Sequence, residues 1–235
     1  MSNTPRLGLP LLQAAQAQKH VTVNEALTLI DGLGQMVLLS VDQTTPPGLA
    51  NDGDCYGVPA GAVNEWAGQD GKVAIRSNGG WVFASPARGW RARIQDRESE
   101  AVHDGSAWIG GALALSANNA ATVHEVVEID HVLSAGPTDT VGAALPAGSV
   151  VIGVTGRVTA AIGGTLGSWR VGVAGSDNRY GSGIGLAQGA WVRGLTASPQ
   201  AYYGDTDLLL TGEGGDFASG SIRFAVHLWR LNLPS

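Results

Sequence analysis

The 235-residue chain has 44% hydrophobic but only 14% charged residues, 35 glycines and a net charge of −6. The charged fraction lies well under the ~25% of ordinary globular domains and glycine is about double the usual ~7%, which argues for many short strands and tight turns around a real core. Two lysines, Lys19 and Lys72, make a poor footprint for nucleic acid, whose affinity rests on cations at phosphates.

No apolar run reaches 18 residues, so no membrane span is expected. The first ten residues lack a cationic stretch followed by an apolar core, so no secretory leader is expected either. Cys55 is the single cysteine and excludes an intrachain disulfide. A particle protein assembled in a bacterial cytoplasm and an ordinary cytosolic protein both fit this composition.

Residues 1–35 read as an N-terminal segment with one short helix. Residues 1–20 are rich in Pro, Leu, Ala and Gln. Thr22 and Glu25 then have capping-box spacing, which makes Thr22 the expected N-cap. Val23, Ala26, Leu27 and Ile30 follow on one helix face, and Gly32 and Gly34 end the helix. About three turns of helix need packing partners, either a multi-chain bundle or the next domain.

Residues 36–110 read as a small β unit. Met36–Val41 is apolar, and residues 58–66 suggest strand–turn–strand. Asn78-Gly79-Gly80 separates two β-prone runs as a hairpin turn would. Residues 91–95 and 101–103 suggest a second hairpin. Trp66, Trp81, Trp90 and Trp108 are expected in its core.

Residues 111–121 read as a linker and residues 122–235 as an antiparallel β-sandwich or jelly roll. Val150, Ile152, Val154 and Val158 alternate with their neighbours. So do Ile222, Phe224, Val226 and Leu228, with Arg223, Ala225, His227 and Trp229 on the other side. Several such strands with Gly-rich turns indicate a sandwich. The fold class is therefore mainly β, with one short N-terminal helix.

Catalytic signatures are missing: no P-loop, no Gly-x-Ser-x-Gly, and Ser182-Gly-Ile-Gly-Leu186 lacks a strand–helix context. His124 and His131 lie seven apart in a strand, hence on opposite faces, so no metal site is expected. Asp177, Asp205, Asp207, Glu213 and Asp216 are candidate acids, but loop carboxylates beside glycine are commonly turn-forming. The chain is read as a non-enzyme without cofactor or metal.

Sugars are held by aromatic faces flanked by planar polar side chains. That mixture occurs in three stretches expected to be loops. These are Asp177-Asn178-Arg179-Tyr180, Trp191 with Arg193, and Tyr202-Tyr203 with Asp205. They form the candidate carbohydrate site, although Tyr180, Trp191 and Tyr202 also suit a core or a subunit interface.

The string Leu9-Pro-Leu-Leu-Gln-Ala-Ala-Gln-Ala-Gln-Lys-His-Val-Thr-Val-Asn-Glu-Ala-Leu27 resembles a family of alphaproteobacterial prophage and gene-transfer-agent proteins. Arg88-Gly-Trp-Arg-Ala-Arg-Ile-Gln-Asp96 and Asp104-Gly-Ser-Ala-Trp108 extend that resemblance over about residues 5–110. Arg179-Tyr-Gly-Ser-Gly-Ile-Gly185, Ala201-Tyr-Tyr-Gly-Asp-Thr206 and Gly214-Gly-Asp-Phe217 resemble the C-terminal domain often joined to it. The resemblance implies a tail-fibre or head-spike protein on the surface of a phage or gene-transfer-agent particle, and a homotrimer. It implies attachment to capsid or tail proteins through the N-terminal region and adsorption to host capsular or surface polysaccharide. A polysaccharide depolymerase spike and a purely structural virion connector stay open as alternatives. No binding residue is carried over from the family.

Overall fold

The computed structural model describes residues 3–12 and 19–235. The Ala/Gln stretch expected just before the helix lies, at residues 13–18, outside the described residues. The chain is mainly β and forms two compact units, Met1–Ala112 and Leu113–Ser235.

In the first unit, helix α1 (Lys19–Leu33) precedes β1 (Val37–Leu38), β2 (Cys55–Gly57), β3 (Val73–Ser77), β4 (Gly80–Ala84), β5 (Arg91–Ile94), β6 (Ser99–His103) and β7 (Trp108–Gly110). They form a three-stranded sheet β2-β3-β4 and a four-stranded sheet β1-β5-β6-β7. Pairing is antiparallel except between β1 and β5. The hairpin at Asn78-Gly79 is a two-residue turn in which both residues have positive φ, 49° and 77°. This primed turn matches the right-handed twist of its strands.

Two expectations are corrected here. Thr22 is not an N-cap, because the helix already runs from Lys19 and Thr22 lies inside it. Residues 58–66 make no strand pair; they end in a 3₁₀ turn, Asn64–Trp66. Trp66 is fully buried against Tyr56 and Trp81, with ring centroids 5.4 and 5.1 Å away.

The chain start is clasped onto this unit. Asp31, at the end of α1, is buried. Its carboxylate accepts from Thr4 Oγ1 at 2.6 Å, Arg6 N at 3.0 Å and Leu7 N at 2.5 Å. In return the Arg6 guanidinium donates to the carbonyls of Gly32 at 2.7 Å and Gln35 at 3.0 Å. Carbonyls that a helix C-terminus leaves unpaired are thus satisfied by a cation where the helix dipole favours one. Leu29 and Leu33 pack on the core around Leu38, Ile75 and Ile94. The helix is therefore integral to the β unit.

The second unit contains β8 (Ala112–Leu115), β9 (Ala121–Val132), β10 (Thr138–Leu145), β11 (Ser149–Gly164), β12 (Ser168–Val173), β13 (Ser176–Ile184), β14 (Trp191–Tyr202), β15 (Thr206–Glu213) and β16 (Phe217–Asn232). One sheet has the order β14-β11-β16-β9-β8 and the other β10-β15-β12-β13, with antiparallel pairing. Lettering β9 to β16 from B to I gives G-D-I-B and C-H-E-F. That is jelly-roll connectivity, two Greek keys folded into a sandwich. Residues 111–121, read as a linker, contain β8, an added edge strand of the first of these sheets.

The core lies between the sheets. Ile222, Phe224, Val226 and Leu228 of β16 point inward, as expected, and Phe224 meets Trp169 edge to face at 6.3 Å. Strand β11 departs from the expected alternation. A bulge between Val151 and Gly153 shifts its register against both neighbours. Val151, Val154 and Val158 are therefore buried, while Val150 is half-buried on the outer face. One extra residue reverses side-chain parity beyond it.

Replacing Asp31 by alanine would strand three donors at once. At ~1–3 kcal/mol per unsatisfied group, Asp31→Ala is expected to lower the first unit's stability by about 3 kcal/mol or more. It would also expose residues 3–12 to limited proteolysis, both effects measurable by denaturant titration and mass spectrometry of digests.

Candidate functional site

Most of the residues singled out from sequence lie on strands, not loops. Asp177, Asn178, Arg179 and Tyr180 are consecutive in β13. Trp191, Arg193 and Tyr202 belong to β14. Only Tyr203 and Asp205 occupy a turn. Trp191 pairs with Arg157 and Tyr202 with Ser149, eight residues apart on β11, so at ~3.3 Å per residue they are roughly 26 Å apart. The three expected loops therefore do not converge on one cleft.

Several of these side chains have structural tasks. Tyr180 is sealed in the core, its hydroxyl 2.8 Å from that of Tyr202, which packs on the same core. Burial and this hydrogen bond push the Tyr180 phenol well up. Glycine at position 194 makes room for it, because a Cβ there would lie 2.3 Å from the Tyr180 carbonyl oxygen. Asp177 pairs with Arg170 at 2.7 Å. Arg179 donates to Gln200 at 2.8 Å. Asp205 accepts from Ala147 N at 2.8 Å and so fixes a turn. Asn178 and Tyr203 are exposed. Tyr180 is thereby removed from the candidate site. Asp177, Arg179 and Asp205 are committed to the fold.

Trp191 and Arg193 stand apart. Alternate residues of β14 face the core through Val192 and Gly194, which turns Trp191 and Arg193 outward. Trp191 is 61% exposed, and the Arg193 guanidinium lies 5.7 Å from its ring centroid, a cation–π arrangement.

Register builds the surroundings. Arg157 lies opposite Trp191 on one side and Arg223 on the other; Thr155 lies opposite Arg193 and Ala225; Ala225 faces Glu128 across β9. Small residues thus form the middle of the face, with long side chains on either hand. The result is an open groove of about 620 Å³ on the outer face of the five-stranded sheet. From β14 to β9 it crosses three strand spacings, about 14 Å.

Charge in the groove is uneven. Arg223 is held by Asp130 through two 2.7 Å hydrogen bonds, with Glu128 3.5 Å away. The Arg223–Asp130 hydrogen bond lowers the Asp130 carboxyl and raises the Arg223 guanidinium. Arg157 and Arg193 make no ion pair among the described residues. Three arginines against Glu128 and Asp130 leave the groove cationic on an otherwise acidic protein.

Sequence reasoning missed Thr155, Arg157, Arg223 and Glu128. Their outward parity was readable, but their proximity depends on cross-strand register. His227 sits on the same face, its Nε2 3.1 Å from Thr155 Oγ1.

Elsewhere, the Cys55 thiol is buried in the first unit, and that burial, against the effect of Arg6, pushes it up to about 11. Among the described residues no three His, Cys, Asp or Glu side chains form a metal-holding group, and no helix is long and apolar enough to cross a membrane.

Residues 23–109 match the family described as a protein of unknown function, DUF2793. Among curated proteins none matches this chain. One solved structure, the cyanophage Pam1 capsid asymmetric unit, is similar at 26% identity and a TM-score of 0.31, over 48% of this chain and 85% of that chain.

The His227 pKa is lowered by burial and by neighbouring His124. An unfolded chain therefore takes up this proton first. His227's contribution to stability is whole above the unfolded histidine value of ~6.5 and is lost as pH falls from there through the lower folded value. The denaturant midpoint is expected to drop between pH 7.5 and 5.5, and to drop less in His227→Gln.

Proposed function

We propose that this protein is a particle-attached, non-catalytic adhesin whose C-terminal jelly roll binds an acidic host polysaccharide along the outer face of its five-stranded sheet. The observation that carries this reading is the exposed Trp191 ring, stacked with Arg193 and facing Arg157 in an open trough. An indole face offers an apolar platform for the C–H side of a sugar ring, and fixed polar groups beside it supply orientation. The guanidiniums of Arg157 and Arg193 suit the carboxylates of uronic-acid units, because arginine's planar fork matches that group bidentately. An open trough admits the interior of a long chain, whereas a closed pocket would select chain ends. Attachment to a phage or gene-transfer-agent particle rests on the N-terminal resemblance over about residues 5–110. The homotrimer expected of such spikes rests on the same resemblance.

Purified protein titrated with acidic capsular polysaccharide is the test. Trp191→Ala is expected to weaken binding by about 2 kcal/mol, roughly thirtyfold, as loss of a central aromatic anchor does. Arg157→Ala should weaken it less, and more at low salt than at high salt. No reducing ends should be released from the polymer. Unchanged affinity in both variants would remove this face as the binding site, and release of reducing ends would move the assignment to a depolymerase.

A further inference from the structure

The first unit carries a second cavity, unrelated to the groove on the jelly roll. It has a volume of about 550 Å³ and is more enclosed than that groove, well within the ~300–1,000 Å³ of small-molecule sites. Its wall brings together His103, Trp108, Asp42, Arg97 and Asp70.

Two N–H groups on this wall lack acceptors. Trp108 Nε1 is buried without a hydrogen-bond partner among the described residues. It lies against Gly57, where a Cβ would come within 3.3 Å of it. His103 is buried and stacks edge-on with Trp108 at 4.9 Å. Its Nδ1 accepts from Gly105 N at 3.2 Å, which puts the neutral ring's proton on Nε2. No acceptor for that proton is present among the described residues. Burial, against the opposing effect of Asp104, lowers the His103 pKa and keeps the ring neutral at physiological pH. Trp108 Nε1 is closed to solvent, so of the two it is His103, in the cavity lining, that can offer its N–H to a bound molecule.

The rim supplies the complement. Asp42 is tied to Arg97, whose Nε lies 3.2 Å from Oδ2. Asp70 is exposed and, among the described residues, accepts only from Gly61 N, at 3.3 Å. Two carboxylates, one guanidinium and a neutral imidazole leave this cavity with one net negative charge, opposite in sign to the jelly-roll groove.

We propose that this cavity is a binding site for a single neutral hexopyranose ring. An oxygen of the ring would accept from His103 Nε2, its hydroxyls would donate to Asp70 and Asp42, and its apolar face would lie on the Trp108 indole. Net negative charge selects against acidic sugars. The site's size and enclosure select one ring over a polymer chain.

Saturation-transfer NMR of the full-length protein with methyl α-glucopyranoside, methyl α-galactopyranoside, methyl α-mannopyranoside and methyl β-glucuronide tests the idea. At least one neutral glycoside should receive saturation, with a dissociation constant in the millimolar range, and more strongly than the glucuronide. Ala60, exposed on the cavity rim, can be replaced without touching the core. Ala60→Trp should abolish the transfer by filling the cavity, and Asp70→Asn should weaken binding at least fivefold. Trp191→Ala should leave it intact. Absence of transfer to every neutral glycoside, undiminished transfer in Ala60→Trp, or preference for the glucuronide would each overturn the proposal. Transfer lost in Trp191→Ala but kept in Ala60→Trp would also overturn it, while leaving the polysaccharide reading standing.

Discussion

Everything in the second unit follows from the inward commitment of alternate residues along β9, β11 and β16. Ile222, Phe224, Val226 and Leu228 must meet the opposite sheet, and each such buried side chain is worth about 1.5–3 kcal/mol. Once they face inward, Arg223, Ala225, His227 and Trp229 have nowhere to go but out. The bulge in β11 serves the same rule. It lets Val151 and Val154 both reach the core although their spacing is odd, and in doing so it sets Thr155 and Arg157 on the outer face. The groove is what remains on the outside once the core has been satisfied.

A site built this way is rigid from the start. Hydrogen-bond ladders hold the strands of Arg157 and Arg223 on both sides and the edge strand of Trp191 on one, which positions all three more tightly than a loop would. Binding then needs little ordering of the protein, which matters for a polymer ligand that is itself flexible and loses freedom on binding. The true loop residues, Tyr203 and Asp205, are divided between solvent and a turn. The proposed site departs from the usual expectation that function lives on loops, because this fold offers a broad sheet face.

The two proposed sites differ in the way that matters for selection. One is long, open and cationic; the other is enclosed and carries a net negative charge. A ligand suited to one is poorly suited to the other, so the two units can serve different saccharides. In the first unit, the Asp31–Arg6 clasp ties the chain start to the end of α1, and the helix packs on the same core that backs β1 and β3. That arrangement gives a short helix the partners that its length demands.

Composition and periodicity alone determined the β class, the Asn78-Gly79 hairpin and the inward face of β16. They also showed that His124 and His131 point to opposite sides of β9. These are local matters: turn chemistry and a period of two act within a few residues. Tertiary structure decided what belongs together. Tyr180 and Tyr202 look like sugar contacts in sequence, yet they meet in the core because β13 and β14 pack closely at Gly194. Arg157, Arg223 and Glu128 look like ordinary polar positions, yet register sets them around Trp191, although 95 residues separate Glu128 from Arg223. Which outward residues become neighbours depends on strand order and on one bulge, and both are settled only when the two sheets close on a shared core.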